Sequence, residues 1–262
     1  GPITIAGLLI IFVEWREIMR ISLVPAVLIS IGLWMVIDKP KLTEESTISS
    51  ASEYIKTLLE TLRNKTIIIL IAAISLKSIG EGAVGTYIPL YLIEELDIDE
   101  IRVGVLLSLA QTMGIISQPI MGNLSDTKGR KIVMVIGTGC VGLLSIGLAV
   151  MAHPSIASID SSFVIIGLWA IIIGKGAFTF SLHHIYLAAA LDVSGAKMQS
   201  SVVAIMYGSG IISTFSPYLA GLLADKYGFY TSFLFGGIIL IAAAFVLLFI
   251  KITKQQMNSQ PH

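Results

Sequence analysis

Five stretches of this chain, 21–37, 103–125, 132–159, 198–224 and 227–250, contain no aspartate, glutamate, lysine or arginine. A helix needs roughly 20 predominantly apolar residues to cross a bilayer, and these runs supply them. Of the 262 residues, 55% are hydrophobic and 13% charged, about half the charge of a soluble domain. The expected class is therefore an all-α membrane protein, with the lipid bilayer as its first partner. The formal net charge of +0 gives no reason to expect a nucleic-acid partner. The single cysteine, Cys140, sits in an apolar run, where a buried, inert thiol is expected.

The pattern predicts spans over 1–13 (partial), 18–37, 66–92, 103–121, 132–152, 162–190, 199–223 and 228–250. Residues 1–13 are too few to cross, so they read as the end of a helix whose beginning is missing, and the chain reads as a fragment. The expected organisation is 1–37 as the end of one helical bundle, 38–65 as a linker, 66–250 as a six-helix bundle and 251–262 as a tail. Within the linker, Ile55, Leu58, Leu59 and Leu62 recur on one helical face. Ser50 stands three residues before Glu53, as in a capping box. An amphipathic helix on the membrane surface or a solvated linker would each fit.

The decapeptide GNLSDTKGRK at 122–131 interrupts the apolar runs. It returns in weaker form: G-x-L-S-D-x-x-G at 122–129 and G-x-L-A-D-x-x-G at 221–228, with Pro119 and Pro217 upstream. Three crossings separate the copies, which puts them on opposite sides of the membrane. Three-helix units repeated with inverted topology mark secondary transporters. Basic residues fix the orientation. Eleven lysines and arginines fall on the side of 38–65, 122–131, Lys197 and the tail, against four on the other side. The expected localisation is a multi-pass protein of the cell membrane, with linker 38–65, loop 122–131 and the C-terminus cytoplasmic.

GNLSDTKGRK resembles the signature loop of the major facilitator superfamily, G-x-L-x-D-x-x-G-R-K. The number of spans before and after it matches the family's copy between helices eight and nine. The resemblance implies that 1–13 is the end of helix five, 18–37 helix six and 66–250 the second six-helix bundle, with a 3+3 inverted repeat. Helices one to four would then be the missing N-terminal half, a required partner. The opening GPITIAG faintly resembles the Gly-Pro motif in helix five of the family's antiporters. The resemblance further implies that Gly122, Asp126, Gly129, Arg130 and Lys131 form a conformational-switch loop, a latch between two bundles that favours one face of an alternating-access cycle. Asp126 is expected against a neighbouring helix amino terminus, where the dipole favours a carboxylate.

Charges inside spans are costly and point to function. Lys77 and Glu81 are four apart and can pair. Lys175, Thr179, His183 and Tyr186 recur near one helical face, and Ser108, Gln111 and Gln118 share another span. Tyr207 would line a cavity or pack. By the resemblance, the spans carrying Lys77, Glu81 and Lys175 are helices seven and ten, which line the central cavity. Lys77, Glu81, Lys175, Thr179, His183, Tyr186 and Gln111 are thus the expected substrate-binding or proton-coupling residues. Two lysines against one glutamate favour an anionic solute, and protons are the expected coupling ion, with Glu81 or His183 as carrier. Each residue also has a structural reading: Lys77–Glu81 as a neutralised pair, His183 as an interhelical hydrogen bonder. The expected function is secondary active transport of a small solute, as symporter or antiporter; the alternative is a receptor or scaffold that keeps the fold without transport. An intramembrane enzyme is disfavoured, since no zinc-ligand spacing and no nucleophile–base motif appears. No cofactor or metal is called for.

Overall fold

The computed structural model describes residues 15–36, 59, 63–157, 161–194 and 199–250. The partial span 1–13, the capping box at Ser50, most of the linker's apolar face and the tail lie outside the described residues. The elements are α1 (Trp15–Val36), α2 (Lys65–Glu94), α3 (Glu100–Lys128), α4 (Arg130–Met151), a single turn at Pro154–Ala157, and α5 (Ser161–Val193). They continue with α6 (Gln199–Gly208), a 3-10 segment (Ser209–Phe215), α7 (Ser216–Tyr227) and α8 (Phe229–Leu247). Among the described residues, six helical stretches, counting Ser201–Tyr227 as one, are long and apolar enough to cross a membrane. Without water, every backbone amide must bond inside its own segment, and helices do this. No strand occurs among the described residues.

Ends are set by side chains. The Asn64 carboxamide accepts from the Thr66 amide at 2.9 Å, and the Asp99 carboxylate accepts from the Ile101 amide at 2.9 Å. Both occupy positions before the first helical turn, where free amides need acceptors. The span expected over 199–223 is broken by the 3-10 segment. Pro217 removes one amide donor and its ring presses on the preceding turn. The chain then tightens to an i→i+3 bond, from the Ser216 amide to the Ser213 carbonyl.

The helix packing has the symmetry of two three-helix units: α2, α3 and α4, then α5, the broken α6–α7, and α8. α2 packs along α8 as α5 packs along α4, and α3 packs on α5 as the 3-10 segment and α7 pack on α2. α4 and α8 meet each other at the centre. Between helices in lipid there is no hydrophobic drive, so close contact of small residues holds them. Gly142 lies against Ile241, and Gly237 against Ile146 and the Gly142 carbonyl. Helix α1 presents exposed apolar side chains along Leu23–Val36.

Two apolar clusters form within the bundle. One joins Ile67, Leu70, Val133, Met134, Leu182 and Leu240; the other joins Val84, Leu92, Leu106, Leu148, Leu168 and Phe233. On α2 and α5 the stretches between the clusters, 75–83 and 173–181, carry Lys77, Glu81, Lys175, Thr179 and Ser181. A polar belt therefore crosses these two helices at mid-height.

A β-carbon at Gly176 would collide with the Ala110 backbone, whereas one at Gly104 would meet open space. Gly176→Ala should lower stability by about 1–3 kcal/mol through overpacking. Gly104→Ala should leave it unchanged or raise it by about 0.5–1 kcal/mol from helix preference. Thermal unfolding of the two variants in detergent checks the contrast.

Candidate functional site

The belt starts from an i,i+4 pair on α2. Lys77 Nζ donates to Glu81 Oε2 at 2.7 Å, and the two side chains are 4% and 19% exposed. The second carboxylate oxygen, Oε1, is buried and has no hydrogen-bond partner among the described residues. Lys77 also lies 5.9 Å from the centre of the Tyr186 ring on α5. This contact brings the α2 face of the pair toward α5.

On α5, Lys175 is 7% exposed and makes no hydrogen bond or ion pair among the described residues. The charges of Glu81 and Lys77 both act on it. Thr179, one turn further, has a buried hydroxyl without a partner among the described residues. His183 is half-buried and its ring lies 5.3 Å from that of Tyr207 and 5.8 Å from that of His184. The charges of Lys77, His184 and Glu81 reach His183. Gln111 is half-buried on α3, next to Ala110, whose carbonyl abuts Gly176. Lys77, Glu81, Lys175 and His183 thus share one electrostatic neighbourhood, with Thr179 beside it.

Tyr186, beside the Lys77 ammonium on one side, reaches α4 on the other. Its side chain is fully buried, and its hydroxyl hydrogen-bonds that of Thr138 on α4 at 2.9 Å. The face that carries Lys175 turns into the α4 contact three residues beyond His183. Ser108 bonds back to the Gly104 carbonyl at 2.8 Å. A polar seam not anticipated from spacing joins α3 to α5, where the Ser117 and Ser181 hydroxyls lie 2.6 Å apart. Its signal was the run of small residues Ala110, Gly114 and Ser117 facing Gly176 and Ser181.

The motif at 122–131, expected as the connection between spans 103–121 and 132–152, is helical on both sides of one residue. α3 continues through Lys128 and α4 begins at Arg130, so Gly129 alone makes the turn. The polar residues of the motif are thus carried on two helix ends. Gly129 has φ 102° and ψ 139°, and its amide donates to the Ser125 carbonyl at 3.0 Å. Gly228 repeats this with φ 95° and ψ 161°, its amide donating to the Ala224 carbonyl at 2.7 Å. The two copies of the motif therefore share one turn geometry.

Asp126 lies in the last turn of α3, exposed, and pairs with Arg130 at 3.3 Å. Its partner is thus an arginine four residues on and, among the described residues, not the free amides of a helix start. Arg130 also pairs with Asp192 at the end of α5. Lys131 Nζ donates to the carbonyls of Leu248 and Ile250 at 2.6 and 2.8 Å, capping the end of α8. Gly122 sits inside α3 facing open space. Arg130 and Lys131 clamp the ends of α5 and α8 to the start of α4 within one bundle.

Two comparisons bear on this arrangement. Residues 1–207 match the profile described as Major Facilitator Superfamily. The tetracycline resistance protein, class H, of Pasteurella multocida is 31% identical over 169 residues, covering 62% of this chain and 38% of that relative. The chain thus spans well under two thirds of that relative's length.

The turn glycines give a sharp expectation. A side chain at this positive φ is strained by about 1–3 kcal/mol. Gly129→Ala and Gly228→Ala should each lower the unfolding midpoint in detergent by a similar amount. Gly122→Ala should not lower it, since its β-carbon meets open space and the helix gains about 0.5–1 kcal/mol. Equal tolerance at all three positions would remove the turn glycines from the structural account.

Proposed function

Because the chain belongs to the major facilitator superfamily, we propose that it forms the second half of a secondary transporter. In this reading it moves a small solute across the membrane by alternating access, with protons as the coupling ion. The family points to a transporter rather than an enzyme. The observation that carries the reading is the polar belt: Lys77, Glu81 and Lys175 are held at mid-height in otherwise apolar helices. Charge there is expensive and, in transporters, marks a binding site. A first bundle, to which α1 would belong, supplies the rest of the cavity and is a required partner.

Lys175 is the proposed contact for an anionic group. A buried ammonium without a counter-ion is costly, and a bound anion relieves that cost. Glu81 is the proposed proton carrier, with Lys77, Lys175, His183 and Tyr186 as the groups around it. His183 is second, since histidine titrates near neutrality. The switch role of Gly122, Asp126, Gly129, Arg130 and Lys131 fits the clamps on α5 and α8, which tie this face of the bundle to α4. The proposed orientation has 38–65, 122–131 and the tail in the cytoplasm, supported by the basic-residue bias. Gln111 lines the α3 side. The name of the Pasteurella relative favours a drug as the exported solute, which is the second reading.

In the complete two-bundle transporter, Lys175→Gln should weaken solute binding about ten- to hundredfold, the worth of a charged hydrogen bond. Lys175→Arg should restore only part, because a planar fork replaces a point charge. Binding isotherms beside thermal unfolding separate the outcomes. Intact binding with lost stability would make Lys175 a structural partner of Glu81.

Glu81→Gln should abolish proton-driven accumulation while sparing solute exchange across the membrane. Counterflow measured over a pH series checks this. An unchanged pH dependence would pass the proton role to His183, testable by His183→Gln.

A further inference from the structure

The acid and the base of the belt occupy related positions in the two three-helix units. On α2 the sequence is Gly80-Glu81-Gly82; on α5 it is Gly174-Lys175-Gly176. In each triplet the first glycine faces the third helix of the opposite unit. Gly80 meets the Gly236 carbonyl on α8, and Gly174 meets Leu144 on α4. The second glycine faces the middle helix of the opposite unit: Gly82 meets Ser216 on α7, and Gly176 meets Ala110 on α3. Successive helical residues are about 100° apart. The middle residue is therefore turned by the same amount from both contacts in each unit. One unit presents a carboxylate there and the other an ammonium.

These symmetry mates do not satisfy each other. No ion pair joins Glu81 to Lys175; Glu81 instead leans back on Lys77 through Oε2. Its Oε1 and the Thr179 hydroxyl remain buried without partners among the described residues, and Lys175 makes no recorded bond. The belt thus keeps a free acceptor on α2 and, on α5, a charged donor on which the Glu81 charge acts, with a free hydroxyl one turn further. A plain anion on Lys175 would set a second negative charge near Glu81 and leave Oε1 unsatisfied. A plain cation would stand between two lysines. Only a ligand with both groups lets every charge alternate in sign, from Lys77 through Glu81 and the ligand to Lys175.

We propose that the solute is bipolar: a small molecule whose anionic group is held by Lys175 and Thr179 and whose cationic or hydrogen-donating group is held by the free oxygen of Glu81. This inference rests on the transport reading and names the solute class of the same site.

The test uses the complete transporter in detergent and two matched probe sets, read by the rise of the unfolding midpoint with probe concentration. One set is leucine, isocaproate and isoamylamine; the other is para-(aminomethyl)benzoate, para-toluate and para-methylbenzylamine. They differ in the separation between the two charges. In at least one set the bipolar probe should bind tenfold or more tightly than both single-charge relatives. Glu81→Gln should bring it down to the affinity of the anion, and Lys175→Gln to that of the amine. If either variant fails to fold, the comparison of probes on the unaltered protein stands alone. An anion that binds as tightly as the bipolar probe overturns the bipolar class and leaves the anion site of the transport reading in place. An amine that binds as tightly as the bipolar probe overturns the class and that anion site. No saturable binding by any probe overturns both the inference and the site.

Discussion

The backbones of α2 and α8 touch at Gly80 and Gly236, where a β-carbon on either would stand 2.7 Å from the other's carbonyl oxygen. Lipid gives helices no hydrophobic reason to associate, so such contacts carry the packing. The remaining geometry follows from them. With Gly80 committed to α8 and Gly82 to α7, the residue between them has one direction left. The same holds for Lys175 between Gly174 and Gly176. The glycines thereby aim the charges.

A buried ion pair is weak evidence for stability, because the cost of taking two charges out of water offsets their attraction. The belt goes further, holding two ammonium groups against one carboxylate between two apolar clusters that pack well without it. Stability alone gives no reason for such a composition. The proposed transport function would give one, since a bound solute or proton would complete the charge balance. This separates the belt from the Arg130 and Lys131 contacts, which tie helix ends together near the apolar layer's edge.

The spans were legible because their cause is local: a helix in oil needs an unbroken apolar run, and the runs are visible. The Lys77–Glu81 pair was legible for the same reason, being one helical turn apart. The turn at Gly129 is shorter than the polar run around it, since polar residues signal exposure and not loss of helix. The pairing of Arg130 with Asp192 spans 62 positions and no local period could find it. Tyr186 shares the spacing of Lys175, Thr179 and His183, yet its surroundings are set by Thr138 on another helix. The 3-10 segment was equally hidden, although Pro217 stood at its end. The repeat was visible only at its turns; the matching glycine triplets became meaningful once their neighbours were known.

The one-residue turn at Gly129 has a mechanical consequence. A register shift of one helix past another moves it about 5.4 Å per turn of helix, and a single linking residue spans at most about 3.6 Å. α3 and α4 therefore have no slack to slide along each other, and neither do α7 and α8 about Gly228. Each pair retains pivoting as its chief freedom, around a glycine hinge. The 3-10 segment differs from these turns, since its bonding changes register without a loop. The two one-residue turns thus tie each helix pair end to end, and movement between its members is a swing about glycine.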